Sequence, residues 1–271
     1  AGLVCGLGWW LHLRFSDGEA YAPRSTMRAD PVGSKAFYDA LVEYRGLRVS
    51  RNYTPFVQLQ SFSSDATLLM LGADTRRLYN LADFDIVRDF VEAGGRLVIA
   101  LDPSEVAYQH LEAEMDEDPA GDDEDRRIDS GEEEDSRDHR PFVRSFRDED
   151  GFWADLAMAH GEHEGGRAAR SEVADTNLPE EVPWREGGVV AFYDEEIWSP
   201  LYQIEEEVVA VVREFGKGSV VLMTDDYLFS NEALLQHRFS SFLVWMLGDQ
   251  GEVIFEETHL GFSERTGMAN L

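Results

Sequence analysis

Residues 216–262 read GKGSVVLMTDDYLFSNEALLQHRFSSFLVWMLGDQGEVIFEETHLGF, and the fold is read outward from this stretch. Residues 219–224 are a continuous apolar run after a Gly-Lys-Gly turn, the pattern of a strand buried on both faces of a parallel sheet. Asp225 and Asp226 end it. Ser230 or Asn231 caps a following helix, whose apolar positions Leu234, Leu235, Phe239, Phe242, Leu243 and Met246 recur at three- and four-residue spacing until Gly248. A second strand, 252–256, follows at once. The polar residues Asp225, Asp226, Ser230 and Asn231 fall where strand passes to helix, and open α/β sheets bind ligands at the carboxyl ends of their strands.

Toward the N-terminus the same alternation repeats. Residues 16–30 are polar and turn-rich, an extended connector. Residues 31–45 read as a helix capped by Asp30, with Pro31 in its first position and Phe37 and Leu41 on its buried stripe. Strands are expected at 47–53, 67–71 and 96–101, a short helix or loop at 54–63, and an amphipathic helix at 81–93 ended by Gly94-Gly95. Such alternation predicts an α/β fold: a mostly parallel sheet with helices on both faces. A long acidic insertion breaks the pattern. Residues 112–140 hold 15 Asp and Glu against 4 Arg, with almost nothing apolar, so they are read as a mobile loop; no stretch keeps the Asp spacing of a calcium loop. A helical stripe is expected over 141–159 (Phe142, Phe146, Phe152, Trp153, Leu156), then a strand at 187–193. Residues 207–215 and 218–224 form a hairpin or two neighbouring strands around the Gly216-Lys217-Gly218 turn.

The formal net charge of −30 excludes nucleic acid as a partner, because phosphate binding needs a basic face. Lys35 and Lys217 are the only lysines, so positive charge is almost all arginine. Acidity with scarce lysine points to a protein working in high salt, where screening relieves self-repulsion; GC-rich coding also favours arginine. The lone Cys5 excludes an internal disulfide. It lies in the apolar run 1–13, AGLVCGLGWWLHL, too short to span a bilayer, which takes about 20 residues. With Trp9 and Trp10 at the interface, residues 1–15 read as the end of a membrane helix; the alternative is a segment packed on the core. Residues 16–262 then form one domain, and 263–271 a tail leading toward a possible second membrane helix.

Several sequence features together carry a family resemblance: DPVGSKAFYDAL at 30–41 before the first strand, GGRLV at 94–98, GKG at 216–218 with Asp225 and Asn231, and FEETHLG at 255–261. The chain resembles the domain of unknown function DUF4350, whose members are similar to class I glutamine amidotransferase-like, flavodoxin-like domains. The resemblance implies a domain held between two membrane helices and facing outward, in the periplasm, with no established activity. A similar fold occurs in auxiliary subunits of gliding-type ABC transporters.

Amidotransferase chemistry needs a cysteine thiolate on a strand-to-helix elbow, and Cys5 is not on one. No serine elbow, phosphate loop, dinucleotide fingerprint or zinc motif is present, and no cofactor or metal is expected. His160 and His163, in His-Gly-Glu-His-Glu, have metal-compatible spacing but sit among glycines, so a polar loop is the simpler reading. The ligand-binding candidates are Asp102, Asp225, Asp226 and Asn231; Asp74 falls on the same rim, and all of these also suit ordinary turns, caps or solvated acidic surface. The leading expectation is a membrane-anchored, non-catalytic domain that binds a ligand or membrane-protein partner. The alternative is a hydrolase, possibly metal-dependent, using Asp225, Glu257 and His259, which requires those groups to meet.

Overall fold

The computed structural model describes residues 21–56, 62–75, 85–103, 151–154, 156–185, 187–192 and 197–262, together with the backbone of the strand at 142–146. The apolar run 1–13, the acidic insertion 112–140 and the tail 263–271 lie outside the described residues. Among those described, no helix is long and apolar enough to cross a membrane.

The parallel part of the main sheet comes from the predicted apolar runs. β1 (Arg48–Asn52), β12 (Glu252–Glu256), β2 (Ala66–Ala73), β3 (Arg96–Leu101) and β11 (Gly218–Met223) lie side by side in that order, each parallel to the next. From β11 outward the sheet turns antiparallel, through β10 (Glu207–Phe215), β9 (Ser199–Ile204), β6 (Gly166–Arg170) and β7 (Glu181–Trp184). The expected hairpin is the β10–β11 pair, with Gly216 at φ 61 in its turn. Gly218 must be glycine, since a Cβ there would lie 2.1 Å from the Gly95 carbonyl oxygen and 2.3 Å from that of Val91.

The expected mostly parallel, flavodoxin-like or glutamine amidotransferase-like sheet with helices on both faces is overturned. The sheet has nine strands of mixed direction, and the helices described are short: α1 (Lys35–Val42), α2 (Asp85–Ala93), α3 (Asn231–Gln236) and α4 (Ser240–Leu247). Tight turns, not helical crossovers, join β9, β10 and β11, which forces antiparallel pairing. A second, three-stranded antiparallel sheet also forms, from β4 (Phe142–Phe146), β5 (Leu156–His160) and β8 (Gly188–Ala191). The helical stripe expected over 141–159 is thus two strands. Between them Gly151 at φ 67 and Ala154 at φ 47 interrupt any helical path.

Side chains alternate along each strand, so one sheet supplies two cores. On one face Leu68, Met70, Leu97, Ile99, Val220 and Leu222 meet Val87, Phe90 and Val91 of α2 and Leu156 and Met158 of the small sheet. On the other Leu69, Val98, Val221, Val253 and Phe255 meet Phe37 of α1 and Phe242 and Met246 of α4.

Two helix boundaries differ from the sequence reading, and the Ser230 cap agrees with it. α1 begins only at Lys35, with Ser34 as its N-cap residue, because Asp30 is taken by the Arg28 guanidinium. Ser230 caps α3 by accepting from the Ala233 amide. The helix expected to run on to Gly248 breaks at Arg238, which takes φ 50, and resumes as α4.

Candidate functional site: the strand-end edge

The carboxyl ends of the parallel strands form an edge crowded with buried acid: Asp225, Asp226, Glu256 and Glu257. Residues 21–34, which take in the end of the 16–30 connector and the first residues expected in the 31–45 helix, lie across this edge as a strap. At one end of the strap Glu257 accepts from the Ser25 hydroxyl (2.9 Å), the Thr26 amide (2.8 Å) and the Thr26 hydroxyl (2.5 Å). Arg51 donates to the same Thr26 hydroxyl at 2.6 Å, its guanidinium stacked 3.5 Å over the Tyr38 ring. Farther along the edge Arg24 reaches Asp226 at 2.6 Å and also donates to the Val32 carbonyl. Its stem crosses the irregularity in β2 at Gly72, whose φ of 72 needs no Cβ.

Asn231 secures the rest of the strap. Its amide nitrogen donates to the Arg28 and Asp30 carbonyls, and its oxygen accepts from the Ala36 amide. Asp225 is an internal turn acceptor, taking the amides of Arg185 (2.7 Å) and Tyr227 (2.8 Å). Burial raises its carboxyl above the usual range against the pull of those two amides. Burial pushes Asp226 up to about 7 in spite of Arg24, with Asp225 and Asp102 adding to the rise.

His259 lies in the 3-10 turn Thr258–Leu260 after β12. Its Nδ1 bonds the Glu256 carboxylate, and its Nε2 lies 2.8 Å from the Leu71 carbonyl oxygen. Burial pushes the Glu256 carboxyl up, but bonds from His259 and Thr258 and the charge of His259 pull harder, so the net shift is down. Both ring nitrogens of His259 are therefore engaged by groups of the fold itself.

Asp225, Glu257 and His259 do not converge. Asp225 follows β11 and the other two follow β12, three inter-strand steps away, or roughly 14 Å. Glu257 faces the strap while His259 pairs with Glu256, so the meeting of groups that the hydrolase alternative requires is not formed. Asp102 ends β3 on the Asp226 side, and Asp74 lies just past β2. His160 closes β5 and His163 lies in the loop before β6. Among the described residues no three His, Cys, Asp or Glu are grouped to hold a metal. A separate open cavity of about 500 Å³, lined by Arg96, Asp175, Val244 and Trp245, lies at the opposite ends of the strands.

Sequence reasoning missed Arg24, Ser25, Thr26, Arg51 and Glu256. The available signal was faint: two arginines, Arg24 and Arg28, in a polar stretch of a chain otherwise rich in acid.

The model of a domain of unknown function, DUF4350, matches residues 26–247. The chain belongs to the DUF4350 family. In this DUF4350 domain the matched span begins inside the strap and takes in β11 and α4. No curated protein matches the sequence. Two solved structures are similar at low identity. The cytoplasmic protein STM1381 from Salmonella typhimurium LT2 is 12% identical, with 78% of this chain and 84% of that one covered, at a TM-score of 0.41. The mmIFT52 N-terminal domain is 9% identical, with 80% and 79% covered, at 0.33. At those scores neither defines the fold, which rests on the strand order given above.

Proposed function

We propose that this DUF4350 domain is a membrane-tethered, extracytoplasmic module that binds a partner and performs no catalysis at the strand-end edge. The observation that carries the reading is the meeting of the two ends of the described chain. The rings of Tyr21 and Phe262 lie 5.7 Å apart, so both ends leave at one point. That arrangement suits a domain held at both ends to a single membrane surface, and the apolar run 1–13 precedes one of those ends. Of the candidate ligand residues, Asp226 lies on the edge beneath the strap, while Asp225 and Asn231 are taken by the domain's own turn and strap. The hydrolase alternative draws no support, since its three groups are spread along the edge and both nitrogens of His259 are engaged.

Fractionation of cells expressing the natural full-length protein tests the tether. The protein is expected in the membrane pellet after an alkaline carbonate wash, released by detergent, and open to added protease from the outer side. Recovery in the soluble fraction would overturn the reading.

A further inference from the structure

Arg24 and Asp226 are 4% and 1% exposed, an ion pair taken almost wholly out of water. Such pairs contribute little net stability compared with packed apolar groups; their best attested use is in registry and switching. Arg24 carries two further costs. Its backbone lies at φ 64, the left-handed region that disfavours any residue with a Cβ, and its Nε is buried without a hydrogen-bond partner. The edge is nonetheless shaped around this side chain. A Cβ at Gly72 would lie 3.1 Å from Arg24 Cγ and 3.4 Å from Asp226 Oδ2, so a side chain there would press on the pair, and the φ of 72 also favours glycine. Beside it Glu257 commits both oxygens to the next two residues, Ser25 and Thr26. Polar groups, not apolar burial, hold this part of the strap, and polar contacts can be exchanged for equivalent ones.

We propose that the strand-end edge is a peptide-recognition site filled in cis by Arg24-Ser25-Thr26, and that when the strap lifts it takes in trans a turn-forming segment presenting an arginine followed by hydroxyl residues. This rests on the reading of the domain as a partner-binding module and supplies the class of partner. A net charge of −30 favours approach of such a basic segment. While closed, the strap competes as a tethered ligand at high local concentration, and the site answers only when that competitor is withdrawn.

The test uses a fluorescent peptide of residues 21–27, YAPRSTM, titrated into the full-length protein in detergent. The chain carrying R24G and T26A, which keeps Asp226, Gly72 and Glu257, is expected to bind at least about tenfold more tightly than wild type. A peptide with the R24A change is expected to lose at least about tenfold, which is the guanidinium's share of recognition. No binding to the folded variant, or equal binding to variant and wild type, overturns the proposal. Should that variant not fold, N231A loosens the strap at its other end without touching the peptide's contacts. Tighter binding than wild type then supports the proposal and unchanged binding overturns it. The titration is indifferent to membrane location and the fractionation to the peptide, so the two readings can fail separately.

Discussion

Replacing Asp226 by Asn tests whether the buried pair is a cost carried by the fold. Burial pushes the folded-state carboxyl up to about 7 from its ordinary value of 3.8. A carboxyl raised in the folded state contributes stability that is fully present below the unfolded value and is lost as pH rises through the folded one. Between about pH 5.5 and pH 7 the unfolded chain has already released this proton and the folded chain has not, so stability falls by about 1.4 kcal/mol per unit, or about 2 kcal/mol. Above about pH 7 the contribution is flat. D226N has no proton to lose there. Its stability relative to wild type is therefore expected to improve by about 2 kcal/mol between pH 5.5 and pH 8.5. Urea unfolding of both chains at fixed salt, followed by tryptophan fluorescence across that range, reads the difference. A difference that stays constant with pH refutes the reasoning. So does a D226N chain about 3 kcal/mol less stable than wild type at pH 8.5, the loss expected when a net-stabilising buried pair is cut.

Further expectations follow from other parts of the structure. H259A removes the bond to Leu71 and the group that holds the Glu256 carboxyl below its usual value. A depressed carboxyl stabilises above its unfolded pKa and loses that contribution as pH falls, so H259A should lose about 2 kcal/mol at neutral pH and unfold at a higher pH on acid titration; an unchanged acid midpoint contradicts this. G218A drives a Cβ into the Gly95 and Val91 carbonyl oxygens, both fixed backbone, and should cost at least about 3 kcal/mol by chemical denaturation; a loss under about 1 kcal/mol would show that β11 can shift. Raising KCl from about 0.15 M to about 1 M shortens the screening length from about 8 Å to about 3 Å. With a net charge of −30 the melting temperature should rise with salt, and a flat or falling value contradicts the salt-adapted reading.

The central strands were legible because their chemistry is local. Residues 96–101 and 252–256 are apolar runs bounded by turn residues, and both strands occupy those positions. The β10–β11 hairpin was legible from Gly-Lys-Gly. Strand order was not, since nothing local says that β12 inserts between β1 and β2. The stripe at 141–159 misled because a few aromatic residues in loose spacing suit a helix or two strands alike, and only the small sheet they join settles it. At the edge, the end positions of Asp225, Asp226 and Asn231 could be read from sequence, but not their occupants. Ser25 and Thr26 meet Glu257, and Arg24 meets Asp226, across most of the chain, and no spacing rule connects such residues.

Hydrogen exchange of the natural full-length protein, resolved at the Thr26 amide that donates to Glu257, tests the self-filled edge most directly. The account predicts that this amide is protected well beyond a free coil, yet exchanges ahead of the amides of β3 through an opening of the strap alone. Exchange at the coil rate would mean that the strap does not close the edge, and exchange only together with β3 would mean that it never lifts.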